Sequence, residues 1–215
     1  MADNASRAGE RYTAPEILDY VNRVHVPHDI GLARAFDVPE GIPAIQVGPS
    51  DGKLLGLLLR LARANKVVEV GTLVGYSAIH MARALPANGR LWSIEFDQRH
   101  AEVARANLAA AGVGDRVTVI VGAGKDVLPT LDKEGPFDAV FIDADKVNYH
   151  VYGRWAVDHL RPGGLVLGDN AYLFGALLED SDRGRAMRAF HELVAASCDS
   201  VCAPTPDGLV VGIKR

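Results

Sequence analysis

Phe137-Asp138-Ala139-Val140-Phe141-Ile142-Asp143-Ala144-Asp145-Lys146 is the stretch on which the reading of this 215-residue chain turns. An apolar run stops abruptly at two acids and a lysine. Such a run reads as a strand buried on both faces, as in a parallel sheet covered by helices. Ligands of these sheets bind beyond the carboxyl ends of the strands. Asp143, Asp145 and Lys146 therefore fall where chemistry is expected, although an acid there can equally end the strand and cap the next helix.

The same alternation extends to both sides. Strands are predicted at 66–71, 90–95, 116–121, 137–143 and 164–169. Helices are expected between them at about 76–86, 98–111, 124–132 and 147–160. This order implies βαβ units with right-handed crossovers, hence an α/β fold around a parallel sheet. The ending differs. After a helix over 183–197, two apolar runs, Ser200–Ala203 and Leu209–Ile213, flank Pro204-Thr205-Pro206-Asp207-Gly208. A short turn-rich link of this kind makes an antiparallel hairpin at the sheet edge, bringing the strands to seven.

Upstream, residues 1 to 13 are polar and aperiodic and read as a disordered tail. A helix is expected to start at Thr13 or Ala14, with Pro15 in its first turn and Ile17, Leu18, Val21 and Val24 on its apolar face. His25-Val26-Pro27-His28-Asp29 interrupts it and reads as a surface turn in preference to a metal cluster, for want of a third ligand nearby. A Pro- and Gly-rich loop over 38–52 then leads into a leucine-dense helix, Lys53 to Ala64. The chain thus divides into a tail (1–13), N-terminal helices (14–64) and a ligand-binding core (65–215) within one domain.

Composition is that of an ordinary soluble protein, 48% hydrophobic and 23% charged. A net charge of −4 gives no global reason to expect nucleic acid or an anionic membrane as partner. Cys198 and Cys202 read as reduced thiols, the start has no apolar core of a signal peptide, and no apolar stretch reaches spanning length. A cytoplasmic location is the expectation.

Val67-Val68-Glu69-Val70-Gly71-Thr72-Leu73-Val74-Gly75-Tyr76-Ser77 reads as strand, glycine loop and helix start. Gly71 and Gly75 either let a ligand approach the backbone or take conformations that a Cβ forbids. The G-x-x-x-G spacing is neither the dinucleotide fingerprint nor a P-loop. Glu69 suits a cationic amine, and Ser77 with the free helix-start amides suits a carboxylate. The second strand ends in Glu95, near the offset at which an acid meets ribose hydroxyls, with a solvated strand-end acid as the plain alternative. An amino-acid end and a nucleoside end together describe S-adenosylmethionine.

The fifth strand ends in Asp169-Asn170. If strands four and five are neighbours, Asp143 and Asp169 sit side by side, and two such carboxylates must share a proton or a cation. With the amide oxygen of Asn170 the set is all hard oxygen, which favours Mg²⁺, or Ca²⁺ or Mn²⁺, over zinc. A simple turn after the strand is the alternative for Asp169-Asn170.

Three stretches now carry a resemblance: Glu69 to Ser77; Phe141-Ile142-Asp143-Ala144-Asp145-Lys146-Val147-Asn148-Tyr149; and Arg161-Pro162-Gly163-Gly164 through Gly168-Asp169-Asn170. The ending from Asp207-Gly208-Leu209 to Lys214-Arg215 also fits. The chain resembles the metal-dependent class I O-methyltransferases of the caffeoyl-CoA and catechol type. The resemblance implies a Rossmann-like, doubly wound, seven-stranded sheet and S-adenosylmethionine as methyl donor. It makes Asp143, Asp169 and Asn170 the metal ligands and Lys146 the general base. Cofactor contacts then fall on Val47, Glu69, Gly71, Thr72, Ser77, Glu95, Gly124 and Asp143. It further implies a small aromatic ortho-diol acceptor and a homodimer. A tRNA hydroxyl methyltransferase of the same family and a non-catalytic cofactor-binding protein are the alternatives. Val74, where the family often has threonine, and Tyr172-Leu173-Phe174-Gly175, in place of its tryptophan-containing segment, are departures. Tyr149, Tyr152, Trp155, Tyr172 and Phe174 are candidate walls for an aromatic acceptor.

Overall fold

The computed structural model describes residues 14–215; the tail predicted over 1–13 lies outside them. Helices α1 (Pro15–His25), α2 (Ile30–Phe36) and α3 (Pro49–Leu61) precede β1 (Lys66–Val70), α4 (Tyr76–Ala84), β2 (Arg90–Glu95), α5 (Gln98–Ala110) and β3 (Val117–Val121). A helical turn, α6 (Gly124–Val127), continues as a 3₁₀ segment into β4 (Phe137–Ile142). Then come α7 (Tyr149–His159), β5 (Leu160–Gly168), α8 (Asp182–Ser197), β6 (Cys198–Ala203) and β7 (Leu209–Lys214). The sheet order is β3-β2-β1-β4-β5-β7-β6. β1 to β5 are parallel, whereas β7 runs antiparallel to both β5 and β6. The order reverses between β1 and β4, and that crevice is where such sheets bind ligands.

Both faces are buried, for the reason the apolar runs implied. Val67, Ala139, Phe141, Leu165 and Leu167 face one way, into the layer formed by α2 to α5. Val68, Val70, Val140, Ile142 and Val166 face the other, under α7 and α8. Each such valine, leucine, isoleucine or phenylalanine contributes roughly 1.5–3 kcal/mol by leaving water. Among the described residues, no helix is long and apolar enough to cross a membrane.

The hairpin is present, with β6 at the edge and its strand starting two residues earlier than expected. Two boundaries differ more, and one helix is additional. The leucine helix begins at Pro49, with Gly48 as its cap, because proline's fixed φ suits a first helical turn. Helix α2 was not predicted; Asp29 caps it by accepting from the Leu32 amide at 2.9 Å. β5 starts at Leu160, since Arg161-Pro162-Gly163-Gly164 bulges out of register between the pairs Phe137–Leu160 and Ala139–Leu165. Asp138 holds that end together. It accepts from the amides of Asn65 and Lys66 at 2.8 Å and from Arg161 Nε at 2.5 Å.

Candidate active site

A cavity of about 850 Å³ opens over the carboxyl ends of β1, β2, β4 and β5. Its walls include Gly71, Thr72, Ser77, Glu95, Gly124, Asp143, Lys146 and Asn170, with Val47 arriving from the loop before α3. Topology brings these residues together, since the strand ends that carry them are adjacent in the sheet.

The glycine loop is shaped by the neighbouring strand. Gly71 has φ +103°, and a Cβ there would lie 2.0 Å from the Asp143 carbonyl oxygen. Glycine is thus required because β4 abuts it, and the loop's course places Thr72 and Leu73 over Glu95. Glu95 Oε2 accepts from both of their amides, at 3.1 and 2.7 Å, and Oε1 accepts from Asp97 N at 3.0 Å. Three of about four carboxylate acceptor positions are therefore filled by the fold, so Glu95 meets the cavity as a loop anchor as much as a free acid.

Glu69 is the larger departure from expectation. It is fully buried and is not part of the cavity wall. One carboxylate oxygen accepts from Ser77 Oγ and the other from Ser93 Oγ. Burial pushes its carboxyl up to about 7, against the lowering effect of the two hydroxyls. Its reach to a ligand is through Ser77. Ser93, which pairs with Glu69 across β1 and β2, was not singled out from the sequence.

At the other end the two acids meet as expected. Asp143 N donates to Val70 O and Asp169 N donates to Ile142 O, at 2.8 and 3.0 Å, so the residues leave β4 and β5 at matching levels. Asp169 is only 6% exposed, and its carboxyl is pushed up to about 7, by burial first and by Asp143 next. Asn170 takes φ +51°, a left-handed conformation that asparagine tolerates, and its Nδ2 lies 3.3 Å from Asp169 Oδ2. Among the described residues, no group of three or more His, Cys, Asp or Glu gathers as a metal site. Asp143 and Asp169 do interact, and Asn170 lies against Asp169 through its Nδ2; two carboxylates, one destabilised by the other, beside an amide that can also offer a hard oxygen fit a divalent cation of the Mg²⁺ type.

Lys146 Nζ donates to Asp143 Oδ1 and to Tyr149 Oη, each at 3.0 Å. The Tyr149 hydroxyl in turn lies 3.0 Å from the Ile142 carbonyl oxygen and 2.9 Å from that of Asp169. Burial holds this phenol well above its ordinary pKa, so it stays a neutral hydroxyl that fixes the lysine.

A family model described as O-methyltransferase matches residues 32–202. The chain belongs to that family. It is 45% identical over 162 residues to a catechol O-methyltransferase of Niastella koreensis, covering 73% of each. A catechol O-methyltransferase of Mycobacterium tuberculosis is 42% identical over 177 residues, 81% of this chain and 80% of that protein. The O-methyltransferase of Bacillus cereus, solved in complex with SAH, superposes with a TM-score of 0.87 at 35% identity, over 93% of this chain and 97% of that one.

In this O-methyltransferase the aromatic candidates separate by position. Tyr152 and Phe174 line the cavity. Tyr149 and Trp155 belong to the core beneath α7, and Tyr172 packs beside Gly208. Asp145 does not cap a backbone amide; it accepts from Tyr152 Oη and Asn148 Nδ2, both at 2.5 Å. The His25–Asp29 turn is structural, with His28 Nε2 2.8 Å from Tyr76 Oη and Asp29 paired with Arg83 at 2.8 Å. Asp51 was not foreseen. Its carboxyl rises to about 6, by burial and then by Asp207, itself a wall residue.

Proposed function

We propose that this O-methyltransferase carries the methyl group of S-adenosylmethionine to one hydroxyl of a small aromatic ortho-diol, of catechol or caffeoyl type, with a divalent cation at Asp143, Asp169 and Asn170. The observation that carries the reading is that Asp143, Asn170 and Lys146 share the cavity wall, with Asp169 buried beside Asp143, in the same cavity that the glycine loop lines. The catechol O-methyltransferase relatives support the acceptor class, and the SAH complex of the Bacillus protein supports the donor.

S-adenosylmethionine supplies an electrophilic sulfonium methyl. A divalent cation at such a donor set supplies Lewis acidity toward the acceptor oxygens. The chain's own residues do the rest. The free α4 amides would meet the carboxylate end of the donor, while the Ser77 hydroxyl, which donates to Glu69, would offer its lone pairs to the donor's ammonium. Thr72, Leu73 and Glu95 keep the loop in one shape. Lys146 takes the acceptor's hydroxyl proton at Nζ, with Tyr149 fixing that nitrogen. To do so it must give up its proton and its ion pair with Asp143. Tyr152 and Phe174 offer the acceptor ring apolar surface. Asp51 and Asp207 near this end disfavour a polyanionic acceptor such as RNA, which agrees with the net charge of −4.

The test is methyl transfer from labelled S-adenosylmethionine over a panel of catechol, a hydroxycinnamoyl thioester and tRNA. Labelling of catechol is expected. Labelling of tRNA alone, with binding that weakens as salt rises, would overturn the reading.

A further inference from the structure

A second, smaller cavity of about 220 Å³ lies between α2, α3 and α4, away from the strand ends. Its floor is apolar, formed by Val26, Leu32 and Ala84, and its rim carries Lys53, Arg60 and Arg83. Asp29 offsets one of these charges through its 2.8 Å pair with Arg83, so the rim keeps an excess of two positive charges.

His80 is also part of this wall, and it is 7% exposed. Its Nε2 is buried without a hydrogen-bond partner. Buried ring nitrogens are ordinarily satisfied, because leaving one unpaired costs on the order of 1–3 kcal/mol. The surroundings keep the ring neutral: burial, then the charges of His28, Lys53 and Arg83, lower its pKa to about 4. Gly52 makes the room the ring occupies, since a Cβ there would lie 2.7 Å from His80 Cδ2. Tyr76 separates this place from the larger cavity, packing on the His80 ring at 4.9 Å while lining the cofactor side.

We propose that this cavity is a second ligand site, for a small oxyanion of the phosphate type, held by Lys53, Arg60 and Arg83, with the His80 ring as part of its wall. The cavity holds a phosphate group with room for a short apolar substituent, which the floor would cover. This site does not depend on which acceptor is methylated.

The experiment is a titration of the full chain with inorganic phosphate, and separately with phenyl phosphate, at constant ionic strength against chloride. The readouts are the melting temperature and the ¹H–¹⁵N signal of the His80 ring. A saturable rise in melting temperature with movement of the His80 signal is expected, absent with chloride. Lys53→Gln and Arg60→Gln, both exposed positions, should each weaken the apparent Kd by about threefold and together by about tenfold, the scale of a lost exposed ion pair. Methyl transfer by these variants should remain, which separates this proposal from the reading of the active site. Phenyl phosphate binding more tightly than phosphate supports an organic phosphate as occupant, and equal binding supports the free anion. An unsaturable response, an unmoved His80 signal, or affinity indifferent to both substitutions would show that the cavity holds only water and would overturn the site.

Discussion

Lys146 sits between two demands. Its Nζ pairs with Asp143 at 3.0 Å, whereas the proposed chemistry needs that nitrogen free to accept a proton. Lys146→Met keeps the stem and removes the nitrogen; kcat should fall by about 10²–10⁴-fold, with S-adenosylmethionine affinity changed by less than about threefold in calorimetry. A kcat within a factor of about five would assign proton removal to solvent. Glu69 makes a different prediction, on stability. Its folded-state pKa, about 7, lies above its ordinary value of 4.5, so the folded state binds the proton more tightly than the unfolded chain. Stability from this group is therefore greatest below about pH 4.5 and declines as pH rises to about 7, by at most roughly 3 kcal/mol. Glu69→Gln, which can still accept from one serine, should flatten the melting-temperature profile of the ligand-free protein over that window. An unchanged slope would locate the titration elsewhere. Gly71→Ala should be worse than either. With φ +103° and a contact at 2.0 Å, the loop must move, at a cost of about 2–4 kcal/mol and with loss of cofactor binding.

β4 and β5 show how an element positions a site from both its ends. At the carboxyl ends, Asp143 enters the cavity wall with Asp169 buried beside it; at the opposite end, Asp138 ties β4 to β1 and to the β5 bulge. Burial alone would raise the Asp138 carboxyl, but Arg161 and the two amides outweigh it and hold it below its usual range. Asp138→Asn should therefore cost about 2 kcal/mol, lowering the melting temperature by about 4–8 °C while leaving kcat nearly unchanged. A large loss of kcat would mean that the two sheet ends are coupled more tightly than the separate hydrogen bonds imply. These elements were legible in the sequence because unbroken apolar runs admit few readings. Their edges were less so. Pro162 and the two glycines look like a turn, and only pairing with β4 reveals them as a bulge within β5. Helix α2 is seven residues long and lies beside a histidine-rich turn, so its single strong signal, the Asp29 cap, was easily read as part of that turn.

At the scale of the whole molecule, the sheet order makes distant residues neighbours, and that decides what a sequence can disclose about a site. Asp143, Asp169 and Asn170 were legible because each ends a recognisable strand and only strand adjacency had to be assumed. The Glu69–Ser93 contact depends on the register between β1 and β2, and the approach of Asp51 depends on how α3 docks, neither of which is written locally. The same packing concentrates Asp51, Asp143, Asp169 and Asp207 around one end of the cavity, and Lys146 supplies a positive charge there. An acidic end of this kind is stable and useful if a cation completes it. The direct measurement is methyl transfer to catechol by chelator-stripped protein as Mg²⁺ is added back, for the wild type and for Asp169→Ala, with S-adenosylmethionine binding followed by calorimetry. Stripping should lower wild-type turnover by at least about 10²-fold and Mg²⁺ should restore it, consistent with a Lewis-acid contribution of several kcal/mol. Asp169→Ala should stay inactive with Mg²⁺ while still binding the donor. Undiminished turnover in the stripped enzyme and in Asp169→Ala alike would contradict the account.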